Sequence, residues 1–215
     1  MRNSHVIGLA VAIALVSAGW ATGAVLLTEN FDSIGPNGTA PPSGWTVGYF
    51  SPAKNRDTNG GDGGVITTAA LIVDNGSGVG DASYNYGTSG ASDRAIGNVP
   101  KTGTGDRIMQ VRVINNTGMS LTSLTVSYWG EQWHRGESKS DSGVEKLRVY
   151  YSAASSTSGF VSMGSALEFV APQNLPGTAQ AALDGNAAAN RTYISGTFAP
   201  SSPIANGSTF YIRWY

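Results

Sequence analysis

Three segments that alternate between apolar and polar residues place aromatic, Arg and Glu side chains along one side of each predicted strand. Aromatic rings stack on the apolar C–H faces of pyranose rings, while each Arg or Glu side chain can form two hydrogen bonds to sugar hydroxyls. The alternation therefore predicts one sugar-binding sheet face. Its expected residues are Trp129, Glu131, Trp133, Arg148, Tyr150, Tyr211 and Arg213.

The same residues also have a structural interpretation, because sheet faces rich in aromatic side chains are usually covered. A long loop from the Gly-rich region 55–100 would lie over the face and turn it into a second small core. Glu131 would then pair with Arg148 or Arg213 across neighbouring strands. The alternation alone does not choose between the two interpretations.

The sequence offers few other residues for catalysis. It contains no Cys, and His134 is the only His outside the N-terminal segment, which excludes thiol chemistry and multi-His metal sites. His134 could act as a general base, but a surface imidazole at the end of a strand is the simpler interpretation. Glu131 has no partner acid in a recognisable glycosidase motif. We therefore expect no catalytic residues.

Two acidic segments could bind a structural Ca²⁺, although neither matches a calcium-binding motif. Asp57, Asn59 and Asp62 are spaced like the first ligands of an EF-hand loop, but a Gly stands at the third ligand position. Glu29 and Asp32 could hold Ca²⁺ at a sandwich edge, yet ordinary edge charges explain them equally simply. We expect no metal site and no cofactor.

The charge balance limits the classes of partner. Thirteen basic and fourteen acidic residues give a net charge of −1, so no basic surface attracts nucleic acid or an anionic membrane. Charged residues make up only 13% of the chain, which instead carries 29 Gly and five Trp. This composition favours a strand-and-turn protein over a helical bundle or a disordered chain.

The N-terminal segment has the pattern of a secretory signal peptide. Arg2 precedes an uncharged apolar run, Val6–Gly19, and Ala21–Ala24 supplies the small residues that a signal peptidase requires. We expect a signal peptide over residues 1–24, cleaved after Ala24, and an exported protein that is extracellular or on the cell surface. The alternative is an uncleaved anchor, since the apolar stretch can be extended to Leu27.

Short segments rich in β-branched and aromatic residues recur between turn-forming clusters, which predicts an all-β, jelly-roll-like antiparallel β-sandwich. Nine alternating residues should form its inner layer: Leu124, Val126, Tyr128, Leu147, Val149, Tyr151, Phe210, Ile212 and Trp214. Ala179–Ala189 could form one short helix. The expected strands are Val25–Phe31, Trp45–Phe50, Val65–Val73, Ala82–Tyr86, Arg94–Val99, Asp106–Asn115, Leu121–Gln132, Val144–Ser152, Leu167–Val170, Arg191–Phe198 and Ser208–Trp214.

Several segments resemble bacterial exported jelly-roll modules with a concanavalin-like fold. These modules occur in surface proteins that often end in a PEP-CTERM sorting tail and beside extracellular nucleases, and their molecular role is largely unassigned. The resemblance covers most of residues 26–214. Its residues are Leu27–Asp32 with Pro42–Trp45, Asn115–Gly118 with Leu124–Tyr128 and Gly130–Trp133, Ala182–Asn186 with Asn190–Thr192, and Ile212–Trp214.

The resemblance also implies how the domain is closed. Members of the family generally continue past the Arg-Trp pair, here Arg213 and Trp214, into an acid-rich loop and a closing strand. We therefore expect residues 25–215 to form a single sandwich domain that lacks its closing C-terminal strand. Such a domain would expose a sheet edge and be prone to strand exchange.

These observations lead to one leading functional hypothesis and two alternatives. The leading one is a non-catalytic extracellular or cell-surface module that binds polysaccharide or matrix glycans. The first alternative is a structural or matrix protein that binds no small ligand. The second is a secreted enzyme that degrades polysaccharides or nucleic acids. The oligomeric state does not follow from the sequence.

Overall fold

The computed structural model describes residues 6–10, 24–50, 60, 62–99, 106–136, 145–173 and 179–215. In this part of the chain the helices are short 3₁₀ turns: Asp32–Ile34, Ser165–Leu167 and Ala188–Asn190. The strands are β1 (Val6–Ala10), β2 (Trp45–Phe50), β3 (Ile66–Thr68), β4 (Leu71–Asp74), β5 (Ala82–Tyr86), β6 (Ala95–Val99), β7 (Arg107–Ile114), β8 (Leu124–Arg135), β9 (Lys146–Leu147), β10 (Val149–Ser152), β11 (Val161–Ser162), β12 (Phe169–Val170), β13 (Ala181–Ala182), β14 (Arg191–Phe198) and β15 (Thr209–Trp214).

The strands form two main sheets, which confirms the predicted all-β sandwich. The first sheet has the order β13-β8-β1-β6-β5-β4, with β14 also paired to β8, and the second has the order β11-β10-β15-β7-β2-β3. β12 and β9 form a small separate sheet. Neighbouring strands are antiparallel apart from β4 and β5, which run parallel. β8 spans 12 residues, so β14 and β13 can pair with successive parts of its length.

The core lies between the two sheets and contains all nine residues predicted for the inner layer. Leu124, Val126 and Tyr128 come from the first sheet, whereas Phe210, Ile212 and Trp214 come from the second. Trp214 stacks on Trp45, with ring centroids 5.6 Å apart. Alternation along each strand therefore identified the buried side correctly, because every second side chain of a strand points to the same face.

Most predicted strands form with ends shifted by a few residues, but three predictions were wrong. Residues 26–30 are not a strand, and Phe31 has a left-handed backbone, with φ of 65°, that interrupts extended structure. Val65–Val73 divides into β3 and β4, and the described part of Val144–Ser152 divides into β9 and β10; in both cases the two strands belong to different sheets. Propensity marks residues that favour extended backbone, but it does not say where the chain crosses between sheets.

The helix considered for Ala179–Ala189 is also wrong. The segment instead contains β13 and a turn, followed by a 3₁₀ turn that begins at Ala188. Gly185 lies so close to the Trp133 indole that a Cβ there would approach Nε1 to 2.3 Å. Tertiary packing against Trp133 therefore outweighs the helical propensity of the Ala-rich sequence.

The apolar N-terminal run contributes a strand to the first sheet. β1, which falls within the predicted signal peptide, pairs with β6 on one side and with β8 on the other. Among the residues described, no helix combines the length and apolar character needed to cross a membrane.

Candidate functional site

The seven predicted site residues lie on two different sheets. Trp129, Glu131 and Trp133 are on β8 of the first sheet, whereas Tyr150, Tyr211 and Arg213 are on β10 and β15 of the second, with Arg148 directly before β10. Their side chains alternate with core residues and therefore lie on the outer sides of the sandwich. We call these surfaces the β8 face and the β15 face. The expectation of one shared face is corrected, because alternation separates inside from outside but does not assign a strand to a sheet.

Arg213 is the centre of the β15 face and is fully buried. Its Nε donates to Gln110 Oε1 at 2.8 Å, Nη1 to the Gly60 carbonyl at 2.6 Å and Nη2 to the Ser156 carbonyl at 2.9 Å. The guanidinium carbon lies 3.5 Å from the centre of the Phe160 ring. Desolvation lowers the pKa of Arg213 to about 10, although the charges of Asp62 and Tyr215 oppose this effect.

Loop residues cover the β15 face around Arg213. Tyr150 is buried, and a Cβ on Gly60 would approach its ring to 2.6 Å. The Phe160 amide donates to Asp62 Oδ1, and the Gly63 amide donates to the Thr157 carbonyl. These contacts place Gly60, Asp62 and Gly63, which belong to the predicted covering loop, over this face. The second hydrophobic cluster lies elsewhere, on the first sheet, and consists of Tyr84, Tyr86, Ala95, Val99 and Trp133.

Arg148 and Tyr211 lie on the less covered parts of the second sheet. Arg148 Nε is 3.8 Å from Glu168 Oε1, and Tyr211 is partly exposed beside Arg112 of β7. Glu131 lies on the other sheet, so the expected pairing of Glu131 with Arg148 or Arg213 was wrong.

The β8 face carries an exposed aromatic platform. Trp129 is partly exposed, and the Arg191 guanidinium carbon lies 4.6 Å from the centre of its ring. Tyr193 of β14 is directly opposite Trp129, with ring centroids 5.3 Å apart and 54% of the residue exposed. We call Trp129, Arg191 and Tyr193 the aromatic platform. The sheet register and the cation–π contact hold its groups in place.

Two pairs of hydroxyl groups continue the β8 face beyond the platform. Ser127 Oγ and Ser195 Oγ are 2.8 Å apart, and Thr125 Oγ1 and Thr197 Oγ1 are 3.1 Å apart. Each pair joins directly opposite residues of β8 and β14. A hydroxyl both donates and accepts, so this row can hydrogen-bond the hydroxyls of a bound polyol.

Glu131 and Trp133 are buried at the other end of the β8 face. Trp133 Nε1 donates to Glu131 Oε2 at 2.8 Å, and the Trp133 ring stacks on Tyr86. Desolvation raises the pKa of Glu131 to about 7; the charges of Asp93 and Asp184 also raise it, while the Trp133 hydrogen bond and the Arg191 charge lower it. Burial leaves these two side chains little surface for direct contact with a ligand.

His134 is also buried, which corrects the interpretation as a surface imidazole. Its Nδ1 lies 2.7 Å from the Gly76 carbonyl oxygen, and the Leu183 amide donates to the carbonyl of neighbouring Trp133. This end of β8 therefore anchors two loops. The arrangement gives His134 a structural hydrogen bond.

Glu29, Asp32 and Asp62, which were considered for Ca²⁺ binding, accept hydrogen bonds from backbone amides. Glu29 Oε1 accepts from the Phe31 amide, and Asp32 Oδ1 accepts from the Arg94 amide. Asp57 and Asn59 lie outside the described residues. Within the described ranges, no three His, Cys, Asp or Glu residues are arranged to hold a metal ion.

Sequence reasoning missed Arg191 and Tyr193. β14 was predicted with its observed bounds, but its two sides were not assigned. The signal was present, because Arg191, Tyr193, Ser195 and Thr197 alternate with the other residues of this strand. Only the pairing of β14 with β8 places these residues beside Trp129.

Comparisons with family models, with curated proteins and with solved structures found no match to this chain. The resemblance to exported jelly-roll modules therefore stays a prediction.

Proposed function

We propose that this protein is a non-catalytic, exported β-sandwich module that binds glycans through the aromatic platform. The observation that carries the proposal is the arrangement of the platform on an open sheet face. The Arg191 guanidinium carbon lies 4.6 Å from the centre of the Trp129 ring, and the centre of the Tyr193 ring lies 5.3 Å from it. Rings fixed by a sheet lose little conformational freedom when a ligand binds, which favours affinity.

The surroundings of the platform support a sugar over other ligands. The Ser127–Ser195 and Thr125–Thr197 pairs supply hydrogen-bond donors and acceptors at every second residue along β8 and β14. They lie next to rings that can stack on pyranose C–H groups. The net charge of −1 gives no general attraction for nucleic acid. The signal-peptide pattern of residues 1–24 would bring the module to the polysaccharides outside the cell.

The proposal can be tested by retention on a panel of polysaccharides in affinity electrophoresis. Wild-type protein should be retarded by at least one polysaccharide, and Trp129→Ala and Tyr193→Ala should each weaken that binding about tenfold, or about 1.4 kcal/mol. Tyr211→Ala is the matched control, because Tyr211 is a partly exposed aromatic residue on the opposite outer face. It should bind like the wild type.

Other outcomes would favour the alternatives. Absence of retention on every polysaccharide, with no ligand-dependent increase in melting temperature, would favour a structural or matrix protein. Release of reducing sugars or nucleotides by purified protein, abolished by Glu131→Gln, would favour an enzyme. Retention that is unchanged in both platform variants would place a glycan site elsewhere and contradict the proposal.

A further inference from the structure

The first sheet contains a position that is filled by a segment expected to be removed on export. β1 lies between β6 and β8, and it is the only described strand that pairs with both of them. Its registers are Ile7 with Asn98 and Leu9 with Ile96 on one side, and Gly8 with Glu131 and Ala10 with Trp129 on the other. Without β1, both facing edges would present unpaired backbone groups.

We propose that the gap between β6 and β8 is a strand-acceptor site. β1 fills it in the precursor, and an extended, uncharged, apolar segment of a second polypeptide fills it after the leader is removed. The proposal rests on the export and leader cleavage included in the proposed function, but it does not depend on glycan binding.

The residues along the gap indicate what the incoming strand must be. Its current occupant, Val-Ile-Gly-Leu-Ala, carries no charge and places Gly8 opposite both Gly97 and Glu131. An uncharged incoming strand is therefore expected.

Asn98 adds a second, independent requirement. Its Oδ1 accepts from Ser83 Oγ at 2.8 Å, whereas its Nδ2 is buried and has no hydrogen-bond partner among the described residues. Asn98 is opposite Ile7, a residue that brings no acceptor side chain. A Ser, Thr or Asn in that position of the incoming strand would satisfy the orphaned donor, which is worth more than an ordinary exposed hydrogen bond.

The occupancy of the gap can first be tested in the intact chain. The sequence contains no Cys, so an Ile7→Cys/Asn98→Cys pair should form the only disulfide under mild oxidation. The matched control is Ile7→Cys/Gly97→Cys, which is one residue out of register and should not cross-link efficiently. Equal cross-linking of both pairs, or of neither, would overturn the assignment of β1 to this gap.

The acceptor role can then be tested by strand exchange. A flexible linker with a protease site is inserted between Ala24 and Val25, the full chain is folded, and the linker is cut. A fluorescent peptide of residues 3–13 should bind the cut protein at least about tenfold more tightly than the uncut protein, whose gap stays occupied. A Leu9→Pro peptide should not bind, because Pro cannot donate to the ladder, and an Ile7→Thr peptide should bind more tightly.

Three outcomes would overturn the proposal. The first is equal binding, or no binding, of the peptide to cut and uncut protein. The second is loss of the folded state on cutting that added peptide does not reverse. The third is oligomers of the cut protein that persist in excess peptide, since these would show that a second copy fills the gap. Glycan retention is measured separately, so its failure cannot be mistaken for failure of strand exchange.

Discussion

The β8 face and the β15 face use the same kinds of residue with opposite results. Arg213 lies 3.5 Å from the centre of the Phe160 ring and is fully buried, whereas Arg191 lies 4.6 Å from the centre of the Trp129 ring and stays partly exposed. On the β15 face the carbonyls of Gly60 and Ser156 close over the guanidinium. A sheet face rich in aromatic and Arg side chains thus becomes buried or stays partly exposed according to the loops above it.

The energetics of the two arginines differ for the same reason. A buried guanidinium loses its hydration and needs acceptors for its N–H groups, so Arg213 stabilises the fold only while its carbonyl and amide partners stay in place. Arg191 keeps contact with water and gains from the Trp129 ring without a large desolvation cost. Substitutions at Arg213 should therefore reduce stability more than substitutions at Arg191.

A large loss of stability is expected for Arg213→Leu. The change leaves the Gly60 carbonyl and Gln110 Oε1 without their Arg213 donor, and the Ser156 carbonyl keeps only the hydrogen bond from Gln110 Nε2. The free energy of unfolding should therefore fall by about 3–5 kcal/mol in urea denaturation. Arg112→Leu is the matched control, because Arg112 is on the neighbouring strand but exposed. It should change stability by less than about 0.5 kcal/mol. Equal effects would contradict a covered β15 face.

A smaller effect that depends on pH is expected for Glu131→Gln. The pKa of Glu131 is raised from 4.5 to about 7, so between these values the folded state binds more protons than the unfolded state. Glu131 therefore makes the free energy of unfolding decrease as pH rises from about 4.5 to 7. The substituted amide stays neutral and can still accept from Trp133, which should remove this decrease and stabilise the protein at pH 8 by about 2–3 kcal/mol.

The measurement for this variant is urea denaturation at pH 4.5, 6 and 8. Glu168→Gln is the control, since Glu168 pairs at 3.2 Å with the exposed Lys146, and it should keep the wild-type decrease with pH. A Glu131→Gln profile parallel to that of the wild type would show that the carboxyl is well hydrated.

The smallest change in stability is expected for Trp129→Ala. Trp129 is partly exposed and contacts Tyr193 and Arg191 at the surface, so its loss should cost about 1 kcal/mol or less in thermal or urea unfolding. Trp133→Ala, four residues along the same strand but buried, should cost about 3–5 kcal/mol. A cost for Trp129→Ala as large as that for Trp133→Ala would mean that the platform end of the β8 face is also core.

The sequence by itself determined the bounds of several strands and the buried sides of three predicted strands. β2, β5 and β14 have the predicted bounds, and the nine inner-layer residues are all buried, because side-chain alternation is a local property of extended backbone. It also placed Trp129 on an outer face. These results need no knowledge of which strands are neighbours.

Only the tertiary structure decided which outer residues stand together. It separated Trp129 from Arg213 by assigning β8 and β15 to different sheets, and it brought Arg191 and Tyr193 to Trp129 through β14. It also placed the apolar run at Val6 between β6 and β8. Strand pairing depends on contacts between residues far apart in the chain, and local propensity and alternation carry no information about those partners.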